Sequence, residues 1–198
     1  MIAFKYTKYK GAEYLSHLDL LRHIERTLRR AGIEINKSEG FHRHSKIYLN
    51  NPLGTGVKSV AEYATVDAEF KENFGELFNA FSPEGVKCLK FAEVEKNQNY
   101  ANCITRCEYR AAGIAPFDPR EILGAESIVI TDLREREVDI RPRIYAVERD
   151  GDGLRLVLGC GSDNLRPDLF CSYLESRFGG KTEEIIKTAS FADEDVFL

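Results

Sequence analysis

The segment YLSHLDLLRHIERTLRRAG, residues 14–32, constrains the fold of this chain more than any other stretch. Every local signal in it agrees on a helix. Ser16 stands as an N-cap with Asp19 three residues on, a capping box that satisfies two otherwise unpaired backbone N–H groups. Leu18, Leu21, Ile24 and Leu28 recur at helical spacing and define an apolar side, while Gly32 after Ala31 supplies a left-handed stop. A helix so marked must bury that side against something. The alternating run IAFKYTKY before it and the short extended runs IEIN and SKIYLN after it point to a sheet.

The element order then extends naturally. VAEYATVDAEF reads as a strand, NFGELFNAF as a short helix ended by Pro83, and VKCLKFAEVE as a closing strand. Strand, helix, strands, helix and strand is the succession of a ferredoxin-like split βαβ sandwich. KNQNYAN, residues 96–102, has the polar character of a linker. A similar order recurs beyond it: CITRCEYRA as strand, FDPREILG as short helix, SIVITDL, then DIRPRIYAVE and LRLVLG joined by the turn RDGDG, and NLRPDLFCSYLESRFGG as helix with Pro167 in its first turn. EIIKTASF is expected to return as an edge strand. The fold class expected is therefore α+β, two ferredoxin-like sandwiches in tandem, with a basic N-terminal domain at 1–97 and a C-terminal α+β variant at 103–198.

Charge is unevenly divided along the chain. The 198 residues carry a net charge of −4, yet residues 1–50 hold 10 Lys+Arg against 5 Asp+Glu and all four histidines. A basic head on an acidic body suits an anionic partner meeting the N-terminal portion. The N-terminus lacks a signal-peptide core and no window reaches the length of a membrane span, so the expected location is the cytoplasm, with no membrane partner. The five cysteines have no paired CxxC spacing and read as reduced thiols. On a strand, Cys103 and Cys107 would share a face about 13 Å apart, too far to share a metal.

Two cationic groups stand out. Arg22, Arg26 and Arg29 at i, i+4 and i+7 form a guanidinium stripe on the helix, with Arg30 at its edge; the same spacing also describes an ordinary solvated face. Ten residues on, GFHRHSK places Gly40, Phe41, His42, Arg43, His44 and Lys46 together, and the short IEIN can fold that segment back beside the helix. Arginine forks and backbone N–H groups at a glycine turn suit phosphate oxygens. Arg22, Arg26, Arg29, Gly40, Phe41, His44 and Lys46 are thus the candidate anion or RNA surface, and His17, Asp19 and His42 the candidate acid–base groups. His42 and His44 would share a face if extended, but Arg43 and Lys46 would repel a cation there, so no metal and no cofactor are expected. NPLGTGVKS misses the phosphate-loop pattern, because Val57 separates Gly56 from Lys58. Arg106, Arg110, Arg141 and Arg166 make a second, weaker candidate anion site; local salt bridges explain them equally.

The stretch YLSHLDLLRHIERTLRRAG followed by SEGFHRHSKIYLNNPLGTGVKSVAEY resembles the radical-SAM-linked protein family, and DIRPRIY and NLRPD resemble it too. The resemblance implies a bacterial domain found alone or fused behind a cobalamin-binding-type radical SAM protein, and a radical SAM protein as partner. His42 and Arg43 depart from the Asn-Pro of the family pattern. The chain lacks the CxxxCxxC cluster of a radical SAM core, since Glu108, Tyr109 and Arg110 follow Cys107. The leading expectation is an accessory module, not itself an enzyme, that binds structured RNA such as tRNA or rRNA or presents a substrate. A histidine-dependent RNA-processing or RNA-modifying enzyme and a protein-interaction domain docking on a radical SAM protein are the alternatives.

Overall fold

A computed structural model describes residues 1–49, 52–95, 103–132 and 135–192. In the first half, β1 (Ile2–Lys8) leads through a single turn to α1 (His17–Arg30), β2 (Ile47–Leu49), β3 (Lys58–Val66), α2 (Phe74–Phe81) and β4 (Cys88–Glu93). In the second, β5 (Ile104–Ile114) is followed by α3 (Arg120–Leu123), the small hairpin β6 (Val129–Thr131) and β7 (Glu137–Asp139), then β8 (Ile144–Asp150), β9 (Gly153–Gly159), α4 (Pro167–Phe178) and β10 (Gly180–Ala192). The 96–102 linker lies outside the described residues.

The first half orders its strands β4-β1-β3-β2 and the second β10-β5-β9-β8, every pair within each half antiparallel. The two halves fuse into one eight-stranded sheet. β2 is so short that it pairs only with residues 64–66 of β3, leaving the earlier part of that strand edge uncovered. β10 fills the gap with the one parallel pairing of the sheet, Ile186 beside Lys58 and Lys187 beside Ser59. An unpaired edge would expose a row of N–H and C=O groups. The segment expected as an edge strand is therefore a central one, because its partner edge belongs to the other half of the chain.

Each half keeps its own apolar core. Ile2, Phe4 and Tyr6 of β1 meet Leu20, Ile24 and Leu28 of α1 and Phe74 and Phe78 of α2, while Tyr109 and Ala111 of β5 and Leu154, Leu156 and Leu158 of β9 pack with Phe170 and Leu174 of α4. The N-cap half of the capping box forms: Ser16 Oγ accepts from the Asp19 N–H at 3.2 Å, while the Asp19 carboxylate accepts from the Ser16 hydroxyl at 2.7 Å. The apolar side of α1 differs from the expected one at its start. Leu18 is 60% exposed and Leu20 takes the core position. Leu20, Ile24, Thr27 and Leu28 share one face, and Leu18 sits two residues, about 200°, away from Leu20 around the helix. IEIN makes only an isolated bridge, Ile35 to Ala68, in place of a strand. PLGTGV, residues 52–57, is a docking loop: Val57 is buried in the second-half core and the Gly56 N–H donates to the Glu13 carbonyl at 3.0 Å.

Candidate nucleic-acid interface

Residues 36–46 form a hairpin-like arm. The Lys46 N–H donates to the Asn36 carbonyl at 2.9 Å, the Ser38 N–H to the His44 carbonyl at 2.8 Å, and the His44 N–H to Ser38 Oγ at 2.9 Å. Gly40, with φ of +107°, opens the turn in a region that side-chain-bearing residues rarely adopt. Phe41 occupies the tip, 97% exposed, with His42 edge-on to it at 5.1 Å between ring centroids and exposed Arg43 and His44 alongside.

Two anchors hold the arm. At its base Asp67 accepts from the Asn36 side chain at 2.9 Å and pairs with Lys46 at 3.4 Å, so this lysine serves as a clamp. At its flank Ser45 Oγ donates to Glu25 of α1 at 2.6 Å, and the same carboxylate holds Arg29 at 2.7 Å. Glu25 thereby fixes the arm beside the arginine stripe. Arg22, Arg26 and Arg29 are all exposed; Arg22 pairs with Asp19, and Arg26 has no hydrogen bond or ion pair among the described residues. Between the end of α1 and the arm lies an open groove of about 520 Å³ lined by Arg29, Gly32, Ile33, Glu34, Ile35 and Lys37. Residues 22–46 carry seven Lys+Arg against three Asp+Glu. Of the sequence-derived residues Arg29 alone lines this groove; Arg22 and Arg26 lie earlier on α1, Gly40, Phe41 and His44 lie further out on the arm, and Lys46 is tied to Asp67.

The acid–base candidates do not converge. Asp19 is the exposed capping carboxylate, its pKa lowered first by the Ser16 hydroxyl and then by Arg22. His17, half-buried at the other end of α1, lies within electrostatic reach of Glu62 and Lys8. It is eight residues, about 12 Å, along the helix from Glu25, where the arm docks. His42 stays at the exposed tip. His23 packs inward, its Nε2 3.3 Å from Thr27 Oγ1 and 3.4 Å from Ser82 Oγ. Among the described residues no group of three or more His, Cys, Asp or Glu side chains is placed to hold a metal.

Burial depresses the pKa of both His17 and His23, with Arg30 and Arg26 adding to the effect at His23 and Glu62 opposing it at His17. Each binds a proton less readily folded than unfolded, so below the ordinary value of 6.5 the unfolded chain binds more protons. Stability is expected to fall as pH drops from about 6.5 through the folded values, before carboxylates contribute. Urea midpoints across that window should show this loss, and His23→Gln should reduce it; a flat profile in the unsubstituted chain would refute the assignment.

The four arginines of the second candidate site are dispersed. Arg106 lies over the Tyr145 ring at 5.4 Å, Arg110 pairs with Asp150 at 3.0 Å, and Arg141 donates to the Leu123 and Ile144 carbonyls at 2.6 and 3.0 Å. Arg166 pairs with Asp168.

At the seam between the halves is a buried polar group that no motif announces. Lys187 of β10, 1% exposed, meets Glu62 of β3, 2% exposed, at 3.0 Å, and Ser59 Oγ donates to the same carboxylate at 2.8 Å. Cys107 lies 3.7 Å from Ser190 and is hydrogen-bonded by Cys160, whereas Cys103 is exposed and apart from them. In the sequence Glu62 and Lys187 stand in two strand segments with no motif that links them.

The fold and surface define an α/β protein with a large, mostly antiparallel sheet and a cationic, aromatic-tipped arm beside its first helix. The chain belongs to DUF2344, a family described as uncharacterized protein conserved in bacteria, whose model matches residues 2–167. No curated protein matches the sequence. Among solved structures, the whole chain superposes on 51% of a chain from the Cbf5-Nop10-Gar1 complex, with a TM-score of 0.52 and 12% identity. It likewise superposes on 50% of a chain from an H/ACA RNP bound to a substrate RNA containing 2'-deoxyuridine, with a TM-score of 0.51 and 12% identity. The chain thus spans about half the length of these neighbours, and the likeness is one of fold. No helix among the described residues is long and apolar enough to cross a membrane.

Proposed function

We propose that this protein is an RNA-binding accessory module that grips structured RNA, of the tRNA or rRNA kind, between the α1 arginine stripe and the 36–46 arm. The observation that carries the reading is Phe41, fully presented at a cationic tip. An exposed ring at the tip of a braced turn, flanked by cationic side chains, is placed to meet a base without disturbing the core. Unpaired bases stack on such rings while Arg and His engage phosphates. The neighbouring fold in an RNA-bound H/ACA RNP is consistent with this. In the same proposal the chain is two ferredoxin-like units, 1–97 and 103–198, sharing one sheet, and it presents its RNA to a radical SAM protein; sequence resemblance supports that last part.

Binding to total cellular RNA is expected at low salt and should weaken steeply as salt rises, since phosphate contacts release counterions. Phe41→Ala should weaken it by roughly 1–3 kcal/mol, and Arg26→Ala should reduce the salt slope with little change in folding. Filter binding across a salt series checks both. Undetectable binding at low salt, or equal affinity in the Phe41→Ala and Arg26→Ala variants, would remove the basis for the proposal. Capture of a radical SAM protein after nuclease treatment tests the partner.

A further inference from the structure

The second half carries a cleft that the arm and the stripe do not use. It measures about 460 Å³ and lies between the β6–β7 hairpin, the turn before β8 and the start of α4. Its floor is apolar: Ile140 and Leu165 are buried, and Ile130, Val138 and Leu169 are half-buried. Its rim is cationic, with Arg136, Arg143 and Arg166 against the single carboxylate of Asp132 among the lining residues.

The arginines are not equally committed. Arg136 gives its Nε and Nη2 to Asp132, and Arg166 gives the same two nitrogens to Asp168. Arg143 makes no side-chain hydrogen bond or ion pair among the described residues, and neither does the Asn164 amide. A guanidinium carries five N–H donors, so the rim retains many that only an added acceptor can satisfy. Volume, apolar floor and a few convergent donors are the usual makings of a small-ligand site. The planar fork of arginine matches the oxygens of a phosphate, and the apolar floor, with Ile130 and Val138 from the hairpin and Leu169 from α4, suits the face of a flat ring.

We infer that this cleft binds a phosphate ester that carries a flat ring with apolar faces, the chemistry of a nucleoside monophosphate, with Arg143, Arg166 and Asn164 on the phosphate. That chemistry has two sources, a free nucleotide or the phosphorylated end of an RNA strand. The site is separate from the arm, so it stands whether or not the arm binds RNA.

The test is calorimetric titration of the full chain with the four ribonucleoside monophosphates, the matching nucleosides and inorganic phosphate. At least one monophosphate should bind saturably, with its nucleoside and inorganic phosphate each at least about tenfold weaker, the equivalent of about 1.4 kcal/mol. Arg143→Ala should lose at least that factor with an unchanged melting temperature, because the side chain holds nothing in the fold. Arg143→Lys, which keeps charge without the fork, should recover only part of it. Phe41→Ala should leave nucleotide binding intact, which separates this inference from the arm's reading. Competition by a short RNA with a terminal phosphate, and not by the same RNA with hydroxyl ends, would assign the strand end as ligand; no competition would assign the free nucleotide. Absence of saturable binding by all four monophosphates at millimolar concentration would overturn the inference. Equal affinity for inorganic phosphate, or indifference to Arg143→Ala, would also overturn it.

Discussion

A chain ending at residue 179 is expected to lose cooperative unfolding in both halves. β10 pairs with β5 from Gly180 to Ala192 and with β3 at Lys58 and Ser59, so its removal strips two internal strand edges at once. The second-half core loses Ile185, and Glu62 in the first half loses the Lys187 ammonium 3.0 Å away. Removing one partner of a buried ion pair is among the costlier defects a fold can carry. Near-ultraviolet circular dichroism should be lost and urea unfolding should become broad. A peptide of residues 180–192 added in trans should restore a sharp transition, since it returns the pairing edge and Lys187 together. A truncated chain that still unfolds in one steep step would show that β10 is peripheral to the fold.

That strand also marks the boundary of what the sequence discloses. The Ser16 N-cap, the Pro167 start of α4 and the 149–153 hairpin turn were legible because each is decided within a few residues. The place of β10 was not. Its pairing with β3 joins residues more than 120 apart, and a parallel contact leaves no turn between its partners to read. Leu18 and Leu20 are both leucines at the start of one helix, and only the direction in which α1 docks on the sheet decides which is buried.

The candidate surface was legible in part for the same reason. The spacing of Arg22, Arg26 and Arg29 is a local property of a helix, and the shortness of the segment before Gly40 keeps the arm near it. What the spacing could not convey is which cations are already engaged. Asp67 claims Lys46 and Glu25 claims Arg29, while Arg26 remains available. His17 turned towards Glu62 and Lys8 because α1 starts over the seam, a relation that requires the assembled sheet. The Arg143 cleft escaped notice because Arg136, Arg143 and Arg166 come from three separate segments.

Lys187→Met should be the most damaging single substitution at the seam, costing about 3–5 kcal/mol through the carboxylate it abandons. Burial alone would depress the Lys187 ammonium; Glu62, together with the Cys107 and Cys160 thiols, outweighs it and holds the group above its ordinary value. The stabilisation is mutual, so the loss should be largely repaired by Glu62→Gln in the same chain, where Ser59 can still donate to the amide oxygen. Urea unfolding of the two single variants and the double measures the coupling; a double variant no more stable than Lys187→Met alone would mean the two residues act independently. A second readout follows from the neighbouring thiols. The Cys160 hydrogen bond, against burial and with the Lys187 charge, holds the Cys107 thiol at about 6. Removing that charge should move the thiolate ultraviolet absorbance of this residue to higher pH. A purely steric role for Lys187 would leave that titration where it was, so the pair of measurements separates charge compensation from packing.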